Sequence, residues 1–227
     1  QHLRAGLGQR VPQALTGSRV AGRFITLEGG EGSGKSTQVK RLAAALEAKG
    51  IAALTTREPG GSPGAEEIRA LLVQGEPGRW DPLTETLLLY AARADHVRHV
   101  IGPALMADKW VISDRFNDSS FVYQGIGRGV PRETIRRIDS VVLDDFKPDF
   151  TLVLDIDVDT GLKRAGARGG KENRFENFDR DFHERLRQGF IEMAKRHPDR
   201  SAPIDAAGSP DEVAAAIWAA ISRRFGL

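Results

Sequence analysis

A doubly wound α/β domain, with a five-stranded parallel sheet covered by helices on both faces, is what this sequence predicts, and three observations carry it. Strand-like and helix-like segments alternate from Arg23 to the C-terminus, the mark of consecutive β-α units whose strands run parallel. The first unit joins its strand to its helix through a glycine-rich turn, Gly29-Gly30-Glu31-Gly32-Ser33-Gly34-Lys35-Ser36. One mid-chain stretch, Arg164 to Lys171, breaks the rhythm with basic residues and glycines, as a short mobile lid does.

Each element has its own signal. Phe24-Ile25-Thr26-Leu27 reads as the first strand, and the helix after the turn carries Val39, Leu42, Ala43 and Leu46 on one face, with Gly50 as its stop. Ile51 to Thr55 is a second strand. Ser62-Pro63 opens a helix with Ile68, Leu71 and Leu72 inward. Asp81-Pro82 opens another, whose middle from Leu87 to Ala92 is apolar nearly all round and so predicts cover on more than one side. Trp110 to Ser113 is a third strand, ending at Asp114. Pro131 begins a helix with Ile135, Ile138, Val141 and Val142. Phe150 to Ile156 is a buried fourth strand, and a charged helix runs from about Phe182 to Arg196. Pro203-Ile204 marks the last strand, and Ser209-Pro210-Asp211-Glu212 is a capping box before a helix with Val213, Ile217 and Ile221 inward.

Composition narrows the function classes. A chain of 227 residues, 40% apolar, suits one α/β domain with a core of its own. No run of about 18 apolar residues is present to span a membrane as a helix. Cysteine is absent, which rules out disulfides and thiolate metal sites and fits a reducing, cytoplasmic setting. A net charge of +2 gives no case for a nucleic-acid partner. Residues 1–20 hold Arg4, Arg10 and Arg19 but no acid and no apolar period. A transit peptide has that bias, but with serine sparse a loose terminus or tag remnant is the better reading.

The glycine-rich turn matches G-x-x-x-x-G-K-[ST] in full, between a strand and a helix, which makes the fold that of the P-loop NTPases. Its glycines let backbone N–H groups curl around phosphate oxygens, and the following helix points its positive end at the anion. Gly29 to Thr37 are therefore the expected ATP site, with Lys35 on the β- and γ-phosphates and Ser36 on Mg²⁺. Asp114, at the end of an apolar strand, is the second candidate for the metal. No N-K-x-D motif of switch GTPases is present. Arg57, Arg69, Arg93 and Arg115 gather near the expected cleft, where guanidinium is the natural fork for phosphate oxygens.

The segment Phe24 to Thr37, with Arg57-Glu58-Pro59-Gly60-Gly61, Tyr90-Ala91-Ala92-Arg93, Asp114-Arg115-Phe116 and Tyr123-Gln124-Gly125, closely resembles bacterial thymidylate kinases, in order and spacing, from about Arg23 to the C-terminus. The resemblance implies a nucleoside monophosphate kinase domain over 21–227 with a lid over about 163–178, taking ATP and dTMP as a homodimer. It implies Arg115 on the dTMP phosphate and Arg93 on a thymine carbonyl, with Ser120 and Gln124 also on the base. Tyr123 would crowd the 2′ position and Glu31 would meet the 3′-hydroxyl, with Glu58 and Arg69 completing the pocket. Where the family often stacks a Phe on thymine, this chain has Leu89. Gly32 stands where one subgroup carries a P-loop arginine, so catalytic arginine is expected from the lid, with Arg168 and Arg174 as the candidates beside Arg164 and Lys171. A kinase for dUMP or dCMP, or a non-catalytic ATP-dependent switch, are the alternatives.

Overall fold

The computed structural model describes residues 22–168 and 174–227, with the backbone alone at Arg168. Residues 1–20 and the centre of the expected lid, including Lys171, lie outside the described residues. The sheet runs β2 (Ala53–Arg57), β3 (Trp110–Asp114), β1 (Phe24–Gly29), β4 (Phe150–Asp155), β5 (Ser201–Asp205), and every pairing is parallel. The central strands are buried along their length because helices cover both faces. In register, Leu27 pairs with Asp114 and Arg57 pairs with Asp114, so the C-terminal ends of β1, β3 and β2 stand side by side.

Strand alternation divides the core. Ile25, Leu27, Ile112, Leu152 and Leu154 face α1 (Lys35–Glu47) and α9 (Pro210–Phe225), and meet Val39, Leu42, Leu46, Val213, Ile217 and Ile221. Phe24 points the other way, into Val97, Ile101, Leu105, Phe116 and Phe146. Thr26 and Glu28 share that second face and are wholly buried there. Farther along it, Val153 packs on Phe182, Leu186 and Phe190 of α8 (Arg180–Arg196).

Several boundaries and faces differ from the sequence reading. The second strand is Ala53–Arg57, two residues later than expected, set by pairing with β3. Ser62 does sit before α2 (Pro63–Val73), but its hydroxyl donates to Asp95 Oδ2 at 2.5 Å and does not cap the helix. Asp81 caps α3 (Pro82–His96), accepting from the Leu83 and Thr84 amides. The helix continues through a π-helical turn, Val97–Ile101, into α4 (Gly102–Met106). On α3, Leu87 is 50% exposed, so the side expected to be covered is open. Val141 on α6 (Arg132–Val142) is 80% exposed, because Ile135 alone of that apolar set is fully inward. The capping box at Ser209 forms as expected, with Glu212 answering the Ser209 amide. Among the described residues, no helix is long and apolar enough to cross a membrane.

Candidate active site

The glycine-rich turn sits between β1 and α1, at the centre of the row of strand ends. Gly34 holds the N-cap of α1 with φ 90°, a left-handed conformation that favours glycine. Lys35 is 6% exposed and its ammonium donates to Gly29 O at 3.2 Å, Gly30 O at 2.7 Å and Ser33 Oγ at 3.1 Å. Burial, with the Arg115 guanidinium adding, brings its pKa down to about 8 against the pull of Asp114, Glu31 and Glu28. Ser36 Oγ meets Asp114 Oδ2 at 2.5 Å. A hydroxyl and a carboxylate at the cleft mouth are hard oxygen donors of the kind Mg²⁺ takes, alongside waters and phosphates. Among the described residues there is no larger cluster of metal-binding side chains.

A cleft of about 520 Å³ is lined by this turn, by the buried face of α3 and by the segment after β3. That volume suits a drug-sized or nucleotide-sized ligand. Gly32, Lys35, Ser36, Glu58, Arg69, Leu89, Arg93, Arg115, Ser120, Tyr123 and Gln124 all contribute to its wall, so the expected phosphate and acceptor residues converge on one space.

Arg115 leaves β3 in a left-handed conformation, φ 71°, with its backbone N–H donating to Leu27 O at 2.9 Å. This unusual backbone aims the guanidinium across the strand ends: Nη1 donates to Gly29 O at 2.8 Å, and Nη2 to Glu31 Oε1 at 3.0 Å and Tyr123 Oη at 2.8 Å. Tyr123 in turn donates to Glu31 Oε1 at 2.7 Å. Burial works to raise Glu31, but Arg115, Lys35 and the Tyr123 hydroxyl outweigh it and hold the carboxyl down at about 2. Glu31 is therefore an anion that spaces two cations.

Arg93 is buried, with Nε on Glu58 Oε2 at 2.7 Å, Nη1 on Asn117 Oδ1 at 3.1 Å and Nη2 on Phe116 O at 3.2 Å. These contacts use three of its five N–H donors and leave two. Glu58 Oε1 is 3.0 Å from His96 Nδ1, and His96 Nε2 is 2.6 Å from Thr56 Oγ1. His96 thereby braces the carboxylate that orients Arg93. Arg69 Nη1 donates to Pro59 O at 2.6 Å. Leu89 packs with Leu72 and Val73 as an apolar wall. The aromatic side of the cleft comes instead from Phe116, Tyr123 and Phe175, the last two edge to face at 5.6 Å. Ser120 Oγ and Gln124 Oε1 are buried without a protein hydrogen-bond partner.

Two expected lid residues fare differently. The Arg168 side chain lies outside the described residues. Arg174 is wholly buried, and its side-chain hydrogen bonds go to the end of α2, to the α2–α3 connection and to α3: Leu72 O, Glu76 O, Pro77 O and Glu85 Oε2. None is in the phosphate loop, and in this structure the Arg174 guanidinium ties its segment to α2 and α3.

Sequence reasoning missed Glu85, Asn117, Phe175 and the role of Glu28. Glu85 had a signal, since Glu85, Leu89 and Arg93 fall four apart on one helical face. Glu28 had strand alternation, which sets it on the buried face. It accepts from the Phe116 amide at 2.8 Å and from Ser119 Oγ at 2.5 Å, fixing the start of α5 (Asn117–Ser120). Burial, helped by Asp118, pushes its pKa up to about 7 against Arg115 and the two hydrogen bonds. A carboxyl raised from its ordinary 4.5 contributes stability that is whole below pH 4.5 and is lost as pH rises through 7. The loss is roughly 3 kcal/mol across that window. Urea midpoints of Glu28→Gln should therefore vary less between pH 4.5 and 7.5 than those of the parent; equal slopes would show that Glu28 titrates normally.

Comparison with known proteins agrees with this geometry. The family model described as thymidylate kinase matches residues 27–217. The thymidylate kinase of Caulobacter vibrioides is 52% identical over 206 residues, covering 91% of this chain and 99% of that one. That of Magnetococcus marinus is 48% identical, covering 90% and 97%. The crystal structure of thymidylate kinase from Ehrlichia chaffeensis superposes with a TM-score of 0.71 at 34% identity, covering 88% of this chain and 98% of that one. With the sheet order, the phosphate loop and the acceptor residues in one cleft, the chain belongs to the thymidylate kinase family.

Proposed function

We infer that this chain transfers the γ-phosphoryl group of ATP to the 5′-phosphate of dTMP, giving dTDP and ADP. The observation that carries this is one cleft lined both by the phosphate loop and by Arg115, Arg93 and Gln124. The acceptor phosphate, with a second pKa of about 6, is mostly a dianion near pH 7 and needs no general base. Its oxygen bonds the γ-phosphorus as the bond to the bridging oxygen of ADP breaks. Catalysis is then alignment and charge neutralisation. Arg115, which leaves β3 in a left-handed conformation, holds the acceptor phosphate against the loop. Lys35 draws off charge on the donor side, and Glu31, beside both cations, offsets their mutual repulsion. Ser36 and Asp114 would hold Mg²⁺, which would offset charge on the donor phosphates. Gly32 leaves the phosphate loop without an arginine, and Arg168 of the lid, about 163–178, is the residue we propose for that charge.

The expected order of kcat/KM is dTMP, then dUMP, then dCMP. The 5-methyl group is worth only about 1–3 kcal/mol in an apolar pocket, so dUMP is poorer but not excluded. Arg93 has only donors, which suit the 4-carbonyl of thymine and oppose the 4-amine of cytosine. A coupled assay over a panel of nucleoside monophosphates checks this, and Arg93→Ala should narrow the gap between dTMP and dCMP. Efficient dCMP phosphorylation by the parent chain would sink the assignment.

A homodimer is part of the same reading. Leu83 and Leu87, four apart on α3, are 46% and 50% exposed, and Val141 on the neighbouring α6 is 80% exposed. Exposed large apolar side chains on adjacent helices suit a self-complementary interface. Sedimentation should find a dimer that Leu87→Glu converts to monomer; a monomeric parent chain would refute it. A cytoplasmic setting, where ATP and nucleoside monophosphates are pooled, completes the proposal.

A further inference from the structure

We propose that Glu85 is a specificity-determining positioning residue, one that pins the side-chain amide of Gln124 with its oxygen turned into the acceptor pocket. The proposal rests on the pyrimidine acceptor inferred above.

Glu85 is wholly buried on α3. Its Oε1 accepts from Gln124 Nε2 at 2.9 Å, and its Oε2 accepts from Arg174 Nη2 at 2.5 Å. Arg128 Nε lies 3.8 Å from Oε1 and is the other cation facing the carboxylate. The Glu85 carboxylate is held between these two guanidinium groups, and a carboxylate oxygen accepts. Turning the Gln124 amide over would set oxygen against oxygen in a buried place, so the NH₂ end is committed to Glu85. The other end, Gln124 Oε1, is buried, has no protein partner, and belongs to a residue of the cleft wall. The pocket therefore presents a fixed acceptor.

A fixed acceptor selects among pyrimidines. Thymine and uracil carry one ring donor, N3–H, with a carbonyl on each side. Neutral cytosine has a lone pair at N3 instead. A glutamine free to rotate would serve either base, by oxygen or by NH₂. Pinned by Glu85, it serves the imide and sets its lone pairs against those of cytosine. Arg93 acts on the exocyclic group, and Gln124 acts on the ring nitrogen. Arg174 steadies the same carboxylate from the lid side, so the end of the lid and the base pocket share one anion.

The test compares kcat/KM for dTMP and dCMP in three proteins: the parent, Glu85→Gln and Arg174→Gln. Both substitutions break the buried ion pair, but only Glu85→Gln releases the Gln124 amide. The dTMP to dCMP ratio should fall by about tenfold or more in Glu85→Gln and stay within about threefold of the parent in Arg174→Gln. The ratio is taken within one protein, so a lower folded fraction cancels. A third arm uses the parent alone: the N3-methyl derivative of dTMP, which lacks the donor, should react at least about a hundredfold more slowly. An unchanged ratio in Glu85→Gln, or an N3-methyl substrate used as well as dTMP, overturns the proposal. Should Glu85→Gln fail to fold, the N3-methyl result decides alone. A parent chain inert towards dTMP is a separate outcome, and it removes the kinase reading itself.

Discussion

Lys35→Ala lowers kcat by about a thousandfold or more and leaves the fold in place. The magnitude is that of removing one preorganised group which stabilises charge in a phosphoryl or acyl transition state. Before ATP arrives, the ammonium is parked on Gly29 O, Gly30 O and Ser33 Oγ, all within the loop. A triphosphate offers it anionic acceptors in the same space, so the loop geometry is set in advance of the chemistry. The fold does not depend on the charge. Burial depresses Lys35 to about 8 from its ordinary 10.5, which means the folded chain bears a cost for the ammonium below pH 8 that fades as pH rises to 10.5. Alanine removes that cost along with three hydrogen bonds, and the melting temperature should move by only a few degrees. Steady-state kinetics beside a melting curve settle the matter. Near-normal turnover in a folded variant would end the phosphate-loop assignment.

Much of the site is legible in the sequence because it is built from local backbone motifs. A glycine-rich turn between strand and helix specifies its own conformation, so Gly29 to Ser36 need no tertiary information to be read. The sheet is legible for the same reason, through the period of its apolar residues. What the sequence leaves out is which polar groups meet across elements. His96 reaches Glu58 over 38 positions, and Arg174 reaches Leu72 over 102. No periodicity encodes such contacts. Faces are misread where an element is covered on one side only: Leu87 and Val141 are as apolar as their neighbours, and nothing local says they stay open. Leu89 is a different case. Its place in an apolar run predicts a wall, and it is one, but the aromatic surface of the cleft comes from Phe116, Tyr123 and Phe175, the last from the end of the lid, which no motif at Leu89 announces.

Arg174→Ala should cost stability first and activity second. The sequence places Arg174 in a basic lid, which suggests a catalytic cation. The structure spends its guanidinium elsewhere: Nε on Glu76 O at 3.1 Å, Nη1 on Leu72 O at 3.1 Å, and Nη2 on Pro77 O at 2.8 Å and Glu85 Oε2 at 2.5 Å. Leu72 lies in the last turn of α2, where carbonyls have no partner further along the helix. A cation there also meets the negative end of the helix dipole. Removing the side chain strands these carbonyls and leaves the Glu85 carboxylate buried with its closest partner gone. Breaking a buried pair from one side costs about 3–5 kcal/mol, since the other charge is left uncompensated. In a domain of this size that lowers the melting temperature by roughly 10 °C. Arg168→Ala should show the opposite split: a kcat lower by about tenfold or more, with KM for ATP and the melting temperature little changed. The two variants measured side by side separate an anchor from a catalyst. An Arg174→Ala protein that melts like its parent but turns over slowly would return Arg174 to the reaction, and would mean that its buried bonds are exchanged for the phosphoryl group when the lid closes.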